Sequence, residues 1–118
     1  MTILGSNVRC VAALEHRDAI MRFYTEIFGA RAVHPAPDLD VYAMDGDSHV
    51  GVYFVPAEQA LTPKQHEAVG TWIELAVDDV DAIQAELERR SFAPLQYHDK
   101  EHAYFQAPGG QVFRLASR

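Results

Sequence analysis

The sequence is poor in cysteine, with Cys10 the only one. A single thiol allows no intramolecular disulfide and no thiolate zinc cage. Positive charge is also scarce: 10 Lys and Arg stand against 17 Asp and Glu, for a formal net charge of −7. Nucleic acids and anionic membranes select basic surfaces, so neither is an expected partner. No stretch approaches the roughly 20 apolar residues of a membrane span, and the opening "MTILGSNVRC" lacks the apolar run of a signal peptide. There is no G-x-S-x-G elbow, no glycine-rich phosphate loop and no cysteine pair at zinc spacing. These absences point to a soluble cytoplasmic protein.

What is present suits one compact domain over 1–118, with 48% hydrophobic and 23% charged residues. "NVRCVAAL", 7–14, reads as a strand rich in small and apolar residues. "HRDAIMRFYTEIFG", 16–29, carries Ile20, Phe23, Tyr24, Ile27 and Phe28 at helical spacing, with Gly29 as its C-terminal stop. "RAVHPA", "DVYAMD" and "HVGVYFVP" read as strands, the last two joined by a turn at Asp45-Gly46. Residues 57–70 form a polar linker with one short helix starting near Thr62-Pro63.

The pattern then restarts. "TWIELAV", 71–77, is strand-like, and "DDVDAIQAELERRS" is helical, capped by Asp78 or Asp79 and striped by Val80, Ile83 and Leu87. "APLQYH", "AYFQAP" and "QVFRLAS" supply three further strands, the last two joined by the turn at Pro108-Gly109-Gly110. A shift of 63 residues lays Asp18-Ala19-Ile20 on Asp81-Ala82-Ile83 and Arg9 on Trp72. The expected fold class is α+β, with two βαβββ modules in tandem: about 4–56 and 71–118.

Three elements, "RFYTEIFGA", "ELAVDDVDAIQAEL" and "FQAPGGQVFRL", give the chain a further likeness. In their order and spacing it resembles the vicinal oxygen chelate superfamily of glyoxalases, bleomycin-resistance proteins, extradiol dioxygenases and fosfomycin-resistance enzymes. The resemblance implies curved mixed sheets around a cleft, often completed in a homodimer. It does not decide function, because the superfamily includes metal-dependent enzymes and proteins that only bind drugs.

Metal-using members of the superfamily take His, Glu or an occasional Gln from the first and last strand of each module. Carried onto this sequence, those positions hold Arg9, Trp72, Arg114 and either Gly51 or Tyr53. A guanidinium stays protonated and offers no lone pair to a cation. No metal and no cofactor is therefore expected. "HDKEH", 98–102, falls where a hairpin turns and reads as a solvated charged loop. His16, His34, His49 and His66 read as surface or boundary histidines.

Strand alternation puts Arg9, Trp72, Glu74 and Arg114 on the cleft side, with Tyr53 and Tyr104 beside them. Cys10 falls on the opposite, helix-facing side and should behave as a small apolar residue. Two readings of the charged set stand. In one, Trp72 stacks on an aromatic ligand, an arginine forks onto its carboxylate or phosphate, and Glu74 orients the arginine. In the other, the arginines and Glu74 form a structural cluster that fills the place of a metal. The expected function is metal-independent binding of an aromatic or anionic small molecule. A glyoxalase- or dioxygenase-like enzyme with a non-standard site is the alternative.

Overall fold

The computed structural model describes every residue from Met1 to Arg118. The chain divides into two compact units, Met1–Ala60 and Leu61–Arg118. No helix is long and apolar enough to cross a membrane.

In the first unit, β1 (Asn7–Ala13) runs into a 3-10 turn at Leu14–His16 and then α1 (Arg17–Arg22). The helix widens to a π-helical turn over Phe23–Ile27. The expected single helix over 16–29 is thus three conformations in succession. Thr25 Oγ1 donates to the Met21 carbonyl at 2.7 Å, competing with the regular backbone ladder at the point of widening. The apolar stripe survives, since Ile20, Phe23, Tyr24 and Ile27 are all buried. Gly29 ends the segment at φ +70, and the Ala30 N–H caps the Tyr24 carbonyl at 3.0 Å.

β2 (Arg31–Ala36), β3 (Leu39–Ala43) and β4 (His49–Val55) complete a four-stranded sheet in the order β1-β4-β3-β2. β1 pairs parallel with β4, and the other pairs are antiparallel. On β4 alternation is clean: Val50, Val52 and Phe54 are buried, while His49, Gly51, Tyr53 and Val55 are partly open. The buried set shares its face with Cys10 and Tyr42, and Tyr24 stacks on Tyr42 at 4.7 Å. The helical segment therefore covers this face, and the Arg9–Tyr53 face is left open.

The second unit begins with α2 (Pro63–Val69), whose capping box pairs Thr62 with Gln65. Hydrogen bonds tie α2 to this unit: Gln106 Nε2 donates to the Pro63 carbonyl at 2.7 Å and the Tyr97 hydroxyl to that of Glu67 at 3.1 Å. His66, expected at a boundary, is instead buried, packed beside Gly110 and Gly70, and that burial lowers its pKa.

β5 (Trp72–Val77), α3 (Val80–Arg89), β6 (Tyr104–Gln106) and β7 (Val112–Ser117) follow, and the sheet order is β5-β7-β6. Asp79 is the N-cap of α3, accepting from the Ala82 N–H at 3.0 Å. The strand expected at 93–98 is reduced to one bridge, Leu95 to Tyr104. Pro94 lies inside the expected strand, and its fixed φ and missing N–H disfavour a regular strand there. Leu87, Phe105, Val112, Phe113 and Leu115 are buried almost completely and form the core. Each such large side chain contributes on the order of 1.5–3 kcal/mol on leaving water.

Candidate functional site

Register alone assembles a row of side chains across the second sheet. Parallel pairing of β5 with β7 sets Glu74 beside Arg114, and antiparallel pairing of β6 with β7 sets Tyr104 on the other side of Arg114. Arg114 Nε donates to Glu74 Oε2 at 2.7 Å, and Nη2 reaches the same oxygen at 2.6 Å. The guanidinium lies over the Trp72 ring, 4.3 Å from its centroid, a cation–π distance. Trp72 keeps 43% of its surface exposed, while Tyr104 is buried. The Tyr104 ring packs against Tyr97 at 4.8 Å and edge-on to Trp72 at 6.0 Å, so it supports the face rather than presenting one.

The loop before β6 adds a second carboxylate that the sequence reading left in solvent. Asp99 Oδ2 accepts from the Tyr104 hydroxyl at 2.9 Å, from His102 Nδ1 at 2.7 Å and from Arg114 Nη1 at 3.3 Å. Its Oδ1 accepts from the Glu101 N–H at 2.8 Å, which aims the side chain inward. That backbone bond, with those from Tyr104 and His102, holds the Asp99 pKa down at about 2 against the effect of burial. Asp99 is an acceptor only, so the His102 nitrogen facing it carries a proton. Only His98, Lys100 and Glu101 of the "HDKEH" loop are exposed as expected.

Arg9 and Tyr53 belong to the first unit. Arg9 pairs in register with Gly51 and is exposed, and its guanidinium lies over the Tyr53 ring, 4.8 Å from the centroid. Its neighbour is thus a ring and not a carboxylate. Around them opens a groove of about 270 Å³, lined by residues of β1, β3 and β4 that include Arg9, Leu39, Val41, His49 and Tyr53. Gly51 lies in the same lining and brings no side chain into it.

On the opposite, helix-covered face of that sheet is a cluster that the sequence reading missed. Asp40 is fully buried, and its two oxygens accept from Arg17 at 2.6 and 3.2 Å, from His34 Nδ1 at 2.6 Å and from the Tyr42 hydroxyl at 3.2 Å. Burial alone would raise its pKa, but the hydrogen bonds and charges of Arg17 and His34 bring it below the usual value. Cys10 is buried near this side, and desolvation pushes its thiol pKa up to about 11.

No three His, Cys, Asp or Glu side chains come together in a group that could hold a metal ion. The carboxylates beside Arg114, Glu74 and Asp99, are both engaged by its guanidinium.

The model of the glyoxalase-like domain family matches residues 9–116. A search of curated protein sequences gives no match. Among solved structures, the chain is similar to TnmS3, an antibiotic-binding protein from Streptomyces sp. CB03234, at 22% identity and TM-score 0.65, over 99% of this chain and 98% of that one. It is similar to a lactoylglutathione lyase from Agrobacterium tumefaciens at 18% identity and TM-score 0.69, over 98% and 94% of the two chains. A fosfomycin resistance protein from Listeria monocytogenes, solved with manganese(II) and sulfate, is similar at 13% identity and TM-score 0.71, over 99% and 91%. At these identities the likeness is one of fold.

Proposed function

Because this chain belongs to the glyoxalase-like domain family, we propose that it is a metal-independent protein that binds an aromatic or anionic small molecule. The supporting observation is Arg9, a cation without a carboxylate partner, laid on Tyr53 at the side of an open groove. An anionic group in that groove would meet a guanidinium ready to form charge-assisted hydrogen bonds, and the Leu39 and Val41 side chains would take an apolar body. Two of the four expected ligand positions are guanidinium groups, and the donor set does not fit a divalent ion. We extend the proposal of small-molecule binding to the second unit, where Trp72, Glu74 and Arg114 make a second face with Tyr104 packed behind it. Residence in the cytoplasm and pairing into a homodimer belong to the same proposal, and light scattering tests the second.

The test is Arg9→Met, which keeps length and removes charge. Benzoate is the probe, with binding read from amide shifts along β1 and β4. The variant should bind at least about tenfold more weakly, a loss of 1.4 kcal/mol, within the range for a charge-assisted hydrogen bond. Equal binding by the two proteins would overturn the assignment of Arg9. An enzyme of glyoxalase or dioxygenase type is the second reading. The observation on its side is His102, whose Nδ1 is fixed on Asp99 at 2.7 Å, an oriented imidazole of the kind general acid–base chemistry uses.

A further inference from the structure

The second unit's face differs in charge from the groove around Arg9, with two carboxylates about one arginine. Arg114 is one cation held between two carboxylates, Glu74 and Asp99. These three groups together carry one net negative charge, on a chain whose formal net charge is also negative. Asp99 stays ionised far below neutral pH. Half-exposed Glu74 gives both of its Arg114 contacts through Oε2, which leaves Oε1 with acceptor capacity toward solvent. Trp72 lies two residues away on β5, an edge strand of its sheet, and its side chain shares the Glu74 face.

The resident arginine shows how this face treats a cation. It is seated over the indole at 4.3 Å and neutralised by carboxylates from two directions. An incoming anion would approach a guanidinium already shared by two carboxylates and would be repelled by both. An incoming cation would find the exposed part of Trp72 and the free oxygen of Glu74. Attraction of a cation to the face of a tryptophan is the strongest of the aromatic cases.

We propose that the Trp72–Glu74 face recognises an organic cation, an ammonium or guanidinium group attached to an apolar or aromatic body. This deepens the small-molecule-binding reading and rests on it. It assigns Arg114 to the framework of the face and Glu74 to contact with the ligand.

Trp72 is the only tryptophan in the chain, so its fluorescence and its indole N–H resonance report on this face alone. Benzylammonium, benzoate and benzyl alcohol share a ring and differ in charge, and each is titrated at low salt. Benzylammonium should perturb Trp72 with an affinity at least about tenfold above that of benzoate, with benzyl alcohol between them. Raising salt to about 0.5 M should narrow the gap, because exposed charges are then screened. Glu74→Gln should bring benzylammonium and benzoate to within about twofold of each other. Benzoate binding at Trp72 as tightly as benzylammonium, in the unaltered protein, would overturn the proposal without reference to any variant. An unchanged preference in Glu74→Gln, with an unchanged melting temperature, would overturn the role of Glu74. Benzoate binding that depends on Arg9 is read from β1 and β4, so failure there is separable from failure here.

Discussion

Replacing Asp40 with Asn removes one negative charge and one acceptor from a side chain that is 0% exposed. The native carboxylate accepts four hydrogen bonds, two from Arg17 and one each from His34 and Tyr42. An amide offers one oxygen in place of two, and its NH2 group would point at donors. Breaking a buried pair by removing one partner costs about 3–5 kcal/mol when the other charge stays fully buried. Arg17 keeps 27% of its side chain exposed and still donates to the Pro37 carbonyl at 2.6 Å, so water and that bond recover part of the cost. The expected loss is about 2–3 kcal/mol, or roughly 6–15 °C in melting temperature for a chain of this size. Urea unfolding of the wild type, Asp40→Asn, Arg17→Met and the double variant measures it as a cycle. The double variant should lose less than the sum of the two single changes. The pH dependence has a fixed sign. The folded-state pKa of Asp40 lies below 3.8, so its contribution is complete above that value and is lost as pH falls through the lower, folded-state value. Asp40→Asn should therefore flatten the acid limb of the stability curve. A loss under about 1 kcal/mol, or strict additivity with Arg17→Met, would refute the reasoning.

Gly110→Ala should destabilise the second unit by about 2 kcal/mol or more, because φ is +111 and a Cβ would lie 2.7 Å from the Pro63 Cα. Thermal unfolding checks it, and a wild-type midpoint would mean that the turn does not press on α2. Cys10 should resist thiol reagents in the native protein at pH 8, since it is buried and its pKa is raised to about 11. Its labelling rate should follow the unfolded fraction in urea, and rapid native labelling would contradict the burial.

The strands and helices were legible wherever one face had a consistent character. Val50, Val52 and Phe54 against His49, Gly51 and Tyr53 is such a case, as is the Ile20–Phe23–Tyr24–Ile27 stripe. The strand over 93–98 failed because apolar residues were counted while Pro94, whose fixed φ disfavours a regular strand, was not weighed against them. Alternation grouped Arg9, Trp72, Glu74 and Arg114, with Tyr53 and Tyr104 nearby; sheet register joins Trp72, Glu74, Tyr104 and Arg114, whereas Arg9 lies over Tyr53 on the other unit. Asp99 was missed because it reaches Arg114 from a loop, where no periodicity constrains direction. The Arg17–Asp40–His34–Tyr42 cluster did leave a trace in the sequence. Asp40 and Tyr42 alternate onto the helix-facing side of β3, and a carboxylate on a buried face requires partners. Neither Arg17 nor His34 was assigned to Asp40, because one comes from a helix start and the other from a neighbouring strand.

The most direct test of metal-independent binding is a native mass spectrum of the protein purified from its own host, before and after incubation with zinc, nickel or manganese and dialysis. The chain should carry an organic ligand or none, and no stoichiometric metal in either state, with ligand occupancy unchanged by the ions. One tightly held equivalent of metal, lost when Arg9, Gly51, Tyr53, Trp72 or Arg114 is replaced, would contradict it.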